Sequence, residues 1–288
     1  MSDGIIVKST VDESDDSAEF WRKIFLDSRG SIRSGWRLTI FLMLLAASGF
    51  SLFAIGILRI PAAARILHQG FLSPSREYLM EIPAATCVLV CSLVMARIEK
   101  RSLSDYGLSL RQGAGKHFLW GVFWGLCVFF AVTVVIAALH GFSFGGLALR
   151  GLALLKYASL WAIGFLLVGF VEEFLYRGYV QFTLAQAVGF WPAAIVWSLV
   201  FGAMHLANPG ENPAGALEVF LFAIFACLTL RRTGALWFAI GFHAAGDYAE
   251  TFLLSVRDSG YAASGTLLNS SFHGPAWLTG GKSVRKLA

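Results

Sequence analysis

Two adjacent carboxylates, Glu172 and Glu173, close a stretch from Tyr157 to Val171 that carries no acidic or basic side chain. A carboxylate inside a membrane costs about 2.5–3.5 kcal/mol on insertion scales, so such groups are kept for function and face a polar cavity. Arg177 follows Glu173 at i,i+4, the spacing at which a carboxylate and a guanidinium meet on one helix face. Glu172 is turned about 140° away from that arginine at 3.6 residues per turn. The natural division has Glu173 held by Arg177 and Glu172 free for proton transfer. Two histidines stand in other apolar runs. His205 closes Phe201-Gly202-Ala203-Met204-His205, and His243 is followed at i,i+4 by Asp247. Carboxylates and imidazoles in such surroundings move protons.

The elements that must position these groups are membrane helices. The chain has 288 residues, 57% hydrophobic and 14% charged. Soluble domains carry roughly 25% charged residues, so the composition excludes a large soluble core and predicts an all-α, polytopic membrane bundle. Apolar runs at Leu38–Leu58, Tyr78–Ala96, Phe118–Leu139, Tyr157 onward, Trp191–Ala207, Ala214–Leu230 and Gly234–Leu254 predict about seven spans. The net charge of +5 is read as topology and not as nucleic-acid binding, because no basic block with interleaved aromatics occurs outside the loops. Arg22, Lys23, Arg29, Arg33 and Arg37 precede the first span. Arg97, Lys100, Arg101, Arg111 and Lys116 lie after the second, and Arg231 and Arg232 after the sixth. All three groups fall on one side, which predicts a cytoplasmic N-terminus in the plasma membrane of a bacterium.

Three regions follow. Residues 1–37 read as a cytoplasmic tail ending in an amphipathic stretch at Phe20, Trp21, Ile24 and Phe25, suited to lie on the bilayer surface. Residues 38–257 are the transmembrane domain. Residues 258–288, rich in Ser, Gly and Asn and ending in Lys282, Arg285 and Lys286, read as an irregular tail. The four cysteines, Cys87, Cys91, Cys127 and Cys227, all lie in apolar runs and read as small buried hydrophobes, not a disulfide or metal set. Glu81 and Glu218 sit near the starts of their spans, where acids favour the helix dipole, and are assigned there.

Depth adds to the case. A turn is signalled at Gly189–Pro192, with Glu172 17 residues before Gly189 and His205 16 residues after it. Antiparallel helices joined there bring the two residues to one level, because the rise per residue is equal on both arms. Ala244, Ala245 and Gly246, between His243 and Asp247, are small enough for a neighbouring helix or a substrate backbone to approach.

The ordered set Glu172-Glu173-x-x-x-Arg177, Phe201-x-x-x-His205 and His243-x-x-x-Asp247 resembles the CAAX prenyl protease and bacteriocin-processing (CPBP, or Abi) family of intramembrane proteases. That family's signature is EExxxR, FxxxH and HxxxN/D on three membrane helices. The resemblance covers about residues 155–250, and is supported by Arg177-Gly178-Tyr179, Thr233-Gly234-Ala235-Leu236-Trp237 and Ser102-Leu103-Ser104-Asp105-Tyr106-Gly107-Leu108. It implies hydrolysis of a peptide bond in a membrane cavity open to the cytoplasm, on a peptide or protein substrate held at the lipid bilayer. Glu172 looks like the base that activates water, with His205 as its partner or as acid to the leaving amine. His243 and residue 247 would stabilise the oxyanion, and Glu173, Arg177 and Phe201 would support them.

The chain departs from the pattern at Asp247, because an ionised Asp accepts hydrogen bonds and cannot donate one to an oxyanion. Asp247 instead suits orienting His243 as a supporting carboxylate, acting in a protonated form, or ligating a metal. Family members often continue past a segment like Gly274–Gly281 into further chain, and the resemblance leaves open whether a final helix belongs here. Glu172, His205, His243 and Asp247 form a conceivable zinc set, although no HExxH is present, and a zinc-free glutamate mechanism uses the same residues. A proton- or cation-coupled transporter and a non-catalytic scaffold or immunity protein are the competing classes.

Overall fold

The computed structural model describes residues 12–111 and 113–280. The terminal charges Lys282, Arg285 and Lys286 lie outside the described residues. The architecture is a polytopic helical bundle. Helix α1 covers Asp12–Phe25, α2 Ser34–Arg59, α3 Pro61–Leu67, α4 Pro74–Glu99 and α5 Ala114–Ala138. Helix α6 (Gly151–Glu173) runs through a π-helical segment, Phe174–Val180, into α7 (Gln181–Val188). Helices α8 (Phe190–His205), α9 (Pro213–Thr233) and α10 (Trp237–Asp247) follow, and a second π-helical segment covers Tyr248–Leu253.

Seven helical stretches stand where the apolar runs predict them. Five of the described helices are long and apolar enough to cross a membrane: Ser34–Gly56, Pro74–Glu99, Ala114–Ala138, Gly151–Val188 and Pro213–Thr233. Helix α8, at Phe190–His205, is shorter. The ends follow ordinary capping chemistry. Ser73 caps α4 by accepting from the Arg76 amide, and Asn212 caps α9 by accepting from the amides of Ala214 and Gly215. Each is followed by a proline at the first helical position, where a missing N–H costs nothing. Gly234, at φ 69°, ends α9 in the left-handed conformation that favours glycine.

At one end of the bundle a polar network ties α2 to its neighbours. Arg37 donates to Glu99 Oε2 (2.6 Å), Ser34 Oγ (2.9 Å) and Gln186 Oε1 (2.8 Å), while the Tyr179 hydroxyl donates to Glu99 Oε1. Arg37, read in the sequence only as a topology charge, is therefore a buried structural residue as well. Nearby, the Leu236 amide donates to the Gly107 carbonyl (2.9 Å) and Trp237 Nε1 to the Ser109 carbonyl (2.9 Å). The segment at 102–108 thus docks onto the start of α10 and sets its position.

The opposite end is closed by the C-terminal segment. Its described backbone is mostly irregular and is stitched down along its length. The Leu72 amide donates to Ala262 O, Ser264 N to Leu72 O, and Ala148 N to Leu267 O. Strand β1 (Phe142–Ser143) pairs antiparallel with β2 (Ser271–Phe272), before the short helix α11 at Ala276–Thr279. Trp161 Nε1, on a fully buried side chain, reaches across to Gly265 O at 3.1 Å.

Helix α10, which carries His243 and Asp247, crosses α5 with backbone almost on backbone. A Cβ added to Gly125 would stand 2.5 Å from the Phe242 carbonyl oxygen and 3.0 Å from the Ala245 Cβ. Gly121 against Phe238 O, and Gly241 against Phe118 O, are closer still. This is the small-residue packing that brings helices together in a membrane, where the hydrophobic effect does not. Gly125→Val is expected to push the helices apart and lower stability by about 1–3 kcal/mol, the usual cost of overpacking. Thermal unfolding in detergent would register that loss; a transition unchanged from wild type would contradict the close crossing.

Candidate active site

The geometry around α6 and α10 is built on His243. Its Nδ1 donates to Glu173 Oε1 at 2.9 Å, and the same oxygen accepts from Arg177 Nη1 at 3.2 Å. Glu173 and Arg177 are among the most buried charges in the chain, with side chains 0% and 2% exposed. The i,i+4 pairing expected from the sequence forms, but Glu173 serves two partners. It is Glu173, on another helix, that takes the ring N–H of His243.

The other ring nitrogen faces two further carboxylates. His243 Nε2 lies 3.6 Å from Glu172 Oε2 and 3.5 Å from Asp247 Oδ2. These separations are longer than a good N–H···O hydrogen bond, so Nε2 is flanked but not captured. Glu173 holds the ring through Nδ1, and Asp247 stands beside its free edge. Glu172 makes no contact with Arg177 and its side chain is 28% exposed, the most open of this group. Asp247 is 14% exposed.

His205 sits at the C-terminal end of α8, half-buried. Its Nδ1 lies 2.9 Å from the Phe201 carbonyl oxygen, which can only accept, so Nδ1 carries the proton. The lone pair of the neutral ring is then on Nε2. The structure does not join His205 directly to Glu172 or His243 by any hydrogen bond or ion pair among the described residues. It joins them through aromatic packing. The His205 ring stands edge-on to Phe201 (4.7 Å), Phe201 packs on Tyr176 (4.5 Å), and the Arg177 guanidinium lies over Phe201 at 4.4 Å. Phe222 of α9 completes the wall, edge-on to His243 at 4.9 Å.

Both motif helices change pitch at this place. The π-helical segment Phe174–Val180 begins directly after Glu173, and Tyr248–Leu253 directly after Asp247. Within the first, Gly178 departs from helical geometry (φ −79°, ψ −112°). Such insertions are rare in regular helices and recur where side chains are re-aimed for function.

Two acids in α4 belong to the same region, and the sequence reading left them out. Glu77, 8% exposed, and Glu81 share a face at i,i+4. Glu81 lies within electrostatic reach of Glu172 and His243, and Glu77 of Glu172 and Asp258. Glu81 is in the second turn of α4, beyond the first turn to which the dipole effect is confined, so the dipole does not account for it. The signal available was an acid inside an apolar span, the same signal that singled out Glu172.

Among the described residues no three His, Cys, Asp or Glu side chains converge on a point that could hold a metal. Each imidazole has its Nδ1 against a protein acceptor, which leaves Nε2 as the nitrogen open to a ligand. The four cysteines are free thiols.

A bundle with five helices able to span a bilayer and with carboxylates packed against an imidazole at its core defines an integral membrane protein. Residues 154–249 match the family described as type II CAAX prenyl endopeptidase Rce1-like. The matched stretch contains Glu172, Glu173, Arg177, Phe201, His205, His243 and Asp247, the residues that carry the resemblance to CAAX-type proteases. At that level the match supports an intramembrane CAAX-type protease, acting on a peptide or protein. No curated protein and no solved structure matches the chain.

Proposed function

We propose that this chain is an intramembrane endopeptidase in which Glu172 activates water for attack on a peptide bond. The observation that carries the reading is the placement of the Glu172 carboxylate, partly open, 3.6 Å from the free edge of an imidazole whose other edge is locked. Glu172 takes a proton from water as the oxygen attacks the scissile carbonyl. His243, held through Nδ1 by Glu173, donates from Nε2–H in its doubly protonated form to the oxyanion that develops. The protonated Glu172 gives that same proton up to the lone pair of His205 Nε2, which passes it to the leaving amine, so that the carboxylate is restored. Glu173 and Arg177 keep His243 in register, and Asp247 balances its charge.

The reaction runs without a metal in this reading, which is supported by a donor set that does not converge. The N-terminus faces the cytoplasm, which is supported by the grouping of Arg22, Lys23, Arg37, Arg97, Lys100, Arg231 and Arg232 at one end of the bundle. Helix α1 presents Phe20 (58% exposed) and Trp21 (55% exposed) beside Phe25, in keeping with a helix that rests on the bilayer surface.

The test is cleavage of a membrane-anchored peptide by purified protein in vesicles made in ¹⁸O-labelled water. The expected result is a new carboxyl terminus carrying one labelled oxygen from the water attack. A transporter would move charge across the vesicle and cleave nothing; a scaffold would do neither. Zinc content measured with activity addresses the cofactor. Full activity at negligible bound zinc is expected, whereas activity lost to a chelator and restored by zinc would return the metal alternative.

A further inference from the structure

Tyr176 belongs to the helix of Glu172, and the proposed reaction leaves it without a task. It follows Glu172 at i,i+4, across the change from α6 into the π-helical segment. Four residues make a little over one turn of an α-helix and a little under one turn of a π-helix, so either pitch keeps Tyr176 on the Glu172 face. Its hydroxyl reaches across to α8 and donates to Met204 Sδ at 3.4 Å, and Met204 immediately precedes His205. The Tyr176 ring packs on Phe201 (4.5 Å) and beside Trp197 (6.1 Å), while Phe201 meets the His205 ring at 4.7 Å. The side chain therefore starts on the face of the base and ends at the neighbour of the second imidazole.

The partner of that hydroxyl is a separate observation. A thioether is a weak acceptor, and a tyrosine O–H that serves the fold usually finds a better one. Two other tyrosines supply the contrast: Tyr78 donates to the Leu160 carbonyl at 2.7 Å, and Tyr179 to the Glu99 carboxylate. The bond to Met204 also lies in an open place, with Met204 54% exposed and Tyr176 half-buried. A carbonyl arriving there is a stronger acceptor than the sulfur and takes over the hydrogen bond at little cost.

The location selects which carbonyl. In the proposed reaction His205 Nε2 passes a proton to the leaving amine, so the leaving half of the peptide lies toward α8. The first backbone carbonyl of that half belongs to the residue directly after the scissile bond.

We propose that the Tyr176 hydroxyl binds the substrate backbone, donating to the carbonyl of the first residue after the scissile bond and holding the leaving half of the peptide against α8. The inference rests on the reading of this site as a peptidase and adds a substrate-binding residue to it.

Binding separates this contact from the catalytic assignment. A labelled, membrane-anchored peptide is compared with one in which the amide carrying that carbonyl is replaced by an E-alkene, which keeps the backbone shape and accepts no hydrogen bond. Fluorescence anisotropy is read on Glu172→Gln protein, so that cleavage does not deplete the probe. The alkene peptide is expected to bind about fivefold more weakly, in line with one neutral hydrogen bond. Adding Tyr176→Phe, which keeps the ring on Phe201, should weaken the natural peptide by about the same fivefold and leave the alkene peptide unchanged. Met204→Leu should leave both affinities unchanged, because it removes the sulfur and keeps the donor. A Tyr176→Phe effect equal on the two peptides, or a Met204→Leu loss as large as that of Tyr176→Phe, would overturn the proposal, since either makes the hydroxyl a structural group. Cleavage by wild-type protein is scored separately: if neither peptide is cut while the paired loss holds, the protease reading fails and the contact stands.

Discussion

Arg177→Met is expected to cost this protein about 3–5 kcal/mol, the usual penalty for removing one partner of a buried ion pair. The reason lies in what the substitution leaves behind. Glu173 is wholly enclosed, and its Oε1 takes both the guanidinium and the His243 ring N–H. Without Arg177 the carboxylate keeps its desolvation cost and loses its counter-charge. Arg177 also lies over Phe201 and within 5.8 Å of the centre of Phe222, so it props up two walls of the chamber. The double substitution Glu173→Met/Arg177→Met should recover much of the lost stability, because it removes the uncompensated charge. It should not recover activity, since His243 then has nothing at Nδ1. Unfolding in detergent and peptide cleavage, measured on both variants, separate the two effects. A single variant as stable as wild type would mean that the pair is not closed off from solvent.

The parts of the site that could be read in the sequence are those governed by helical repeat alone. Glu173 with Arg177, and His243 with Asp247, are each four residues apart, so any helix places them on one face. The spans themselves were legible because a bilayer demands long apolar runs. What escaped depends on rotation and contact between helices. Helix α4 is apolar nearly all round, so its pattern gave no sign of which face meets α6; Glu81 was credited to the helix dipole and Glu77 was not singled out. The bond from His243 to Glu173 joins residues 70 apart, and a sequence without tertiary information gives Asp247, four residues away, the better claim. The two π-helical segments had no signature beyond Gly178. The C-terminal segment reads as loop from its composition, and nothing in that composition foretells the hydrogen bonds by which it holds Leu72, Ala148 and Trp161. Depth matching set Glu172 and His205 at one level, and it gave no hint of the packing of Phe201 on Tyr176, His205 and Arg177 that links their helices.

Glu172→Gln should reduce turnover by about 10²–10⁴-fold, the range contributed by a positioned general base. The amide keeps the size and nearly the polarity of the carboxylate but cannot take a proton from water. Stability should change little. Among the described residues Glu172 forms no hydrogen bond; it stands 3.6 Å from His243 Nε2 and is more exposed than Glu173 or Asp247. The comparison with Glu218→Ala sharpens the test. Glu218 is also an acid in an apolar helix, but it is exposed on α9 and does not touch the His243 cluster, so its removal should leave the rate within about twofold. Glu172→Asp belongs in the same series, because it retains the base and withdraws it by one methylene. An intermediate rate for Asp, between wild type and Gln, follows if the proton transfer depends on reach as well as on chemistry. Wild-type rates in Glu172→Gln would remove the residue from the mechanism, whatever the family match implies, and would shift attention to Asp247, the other carboxylate beside His243 Nε2.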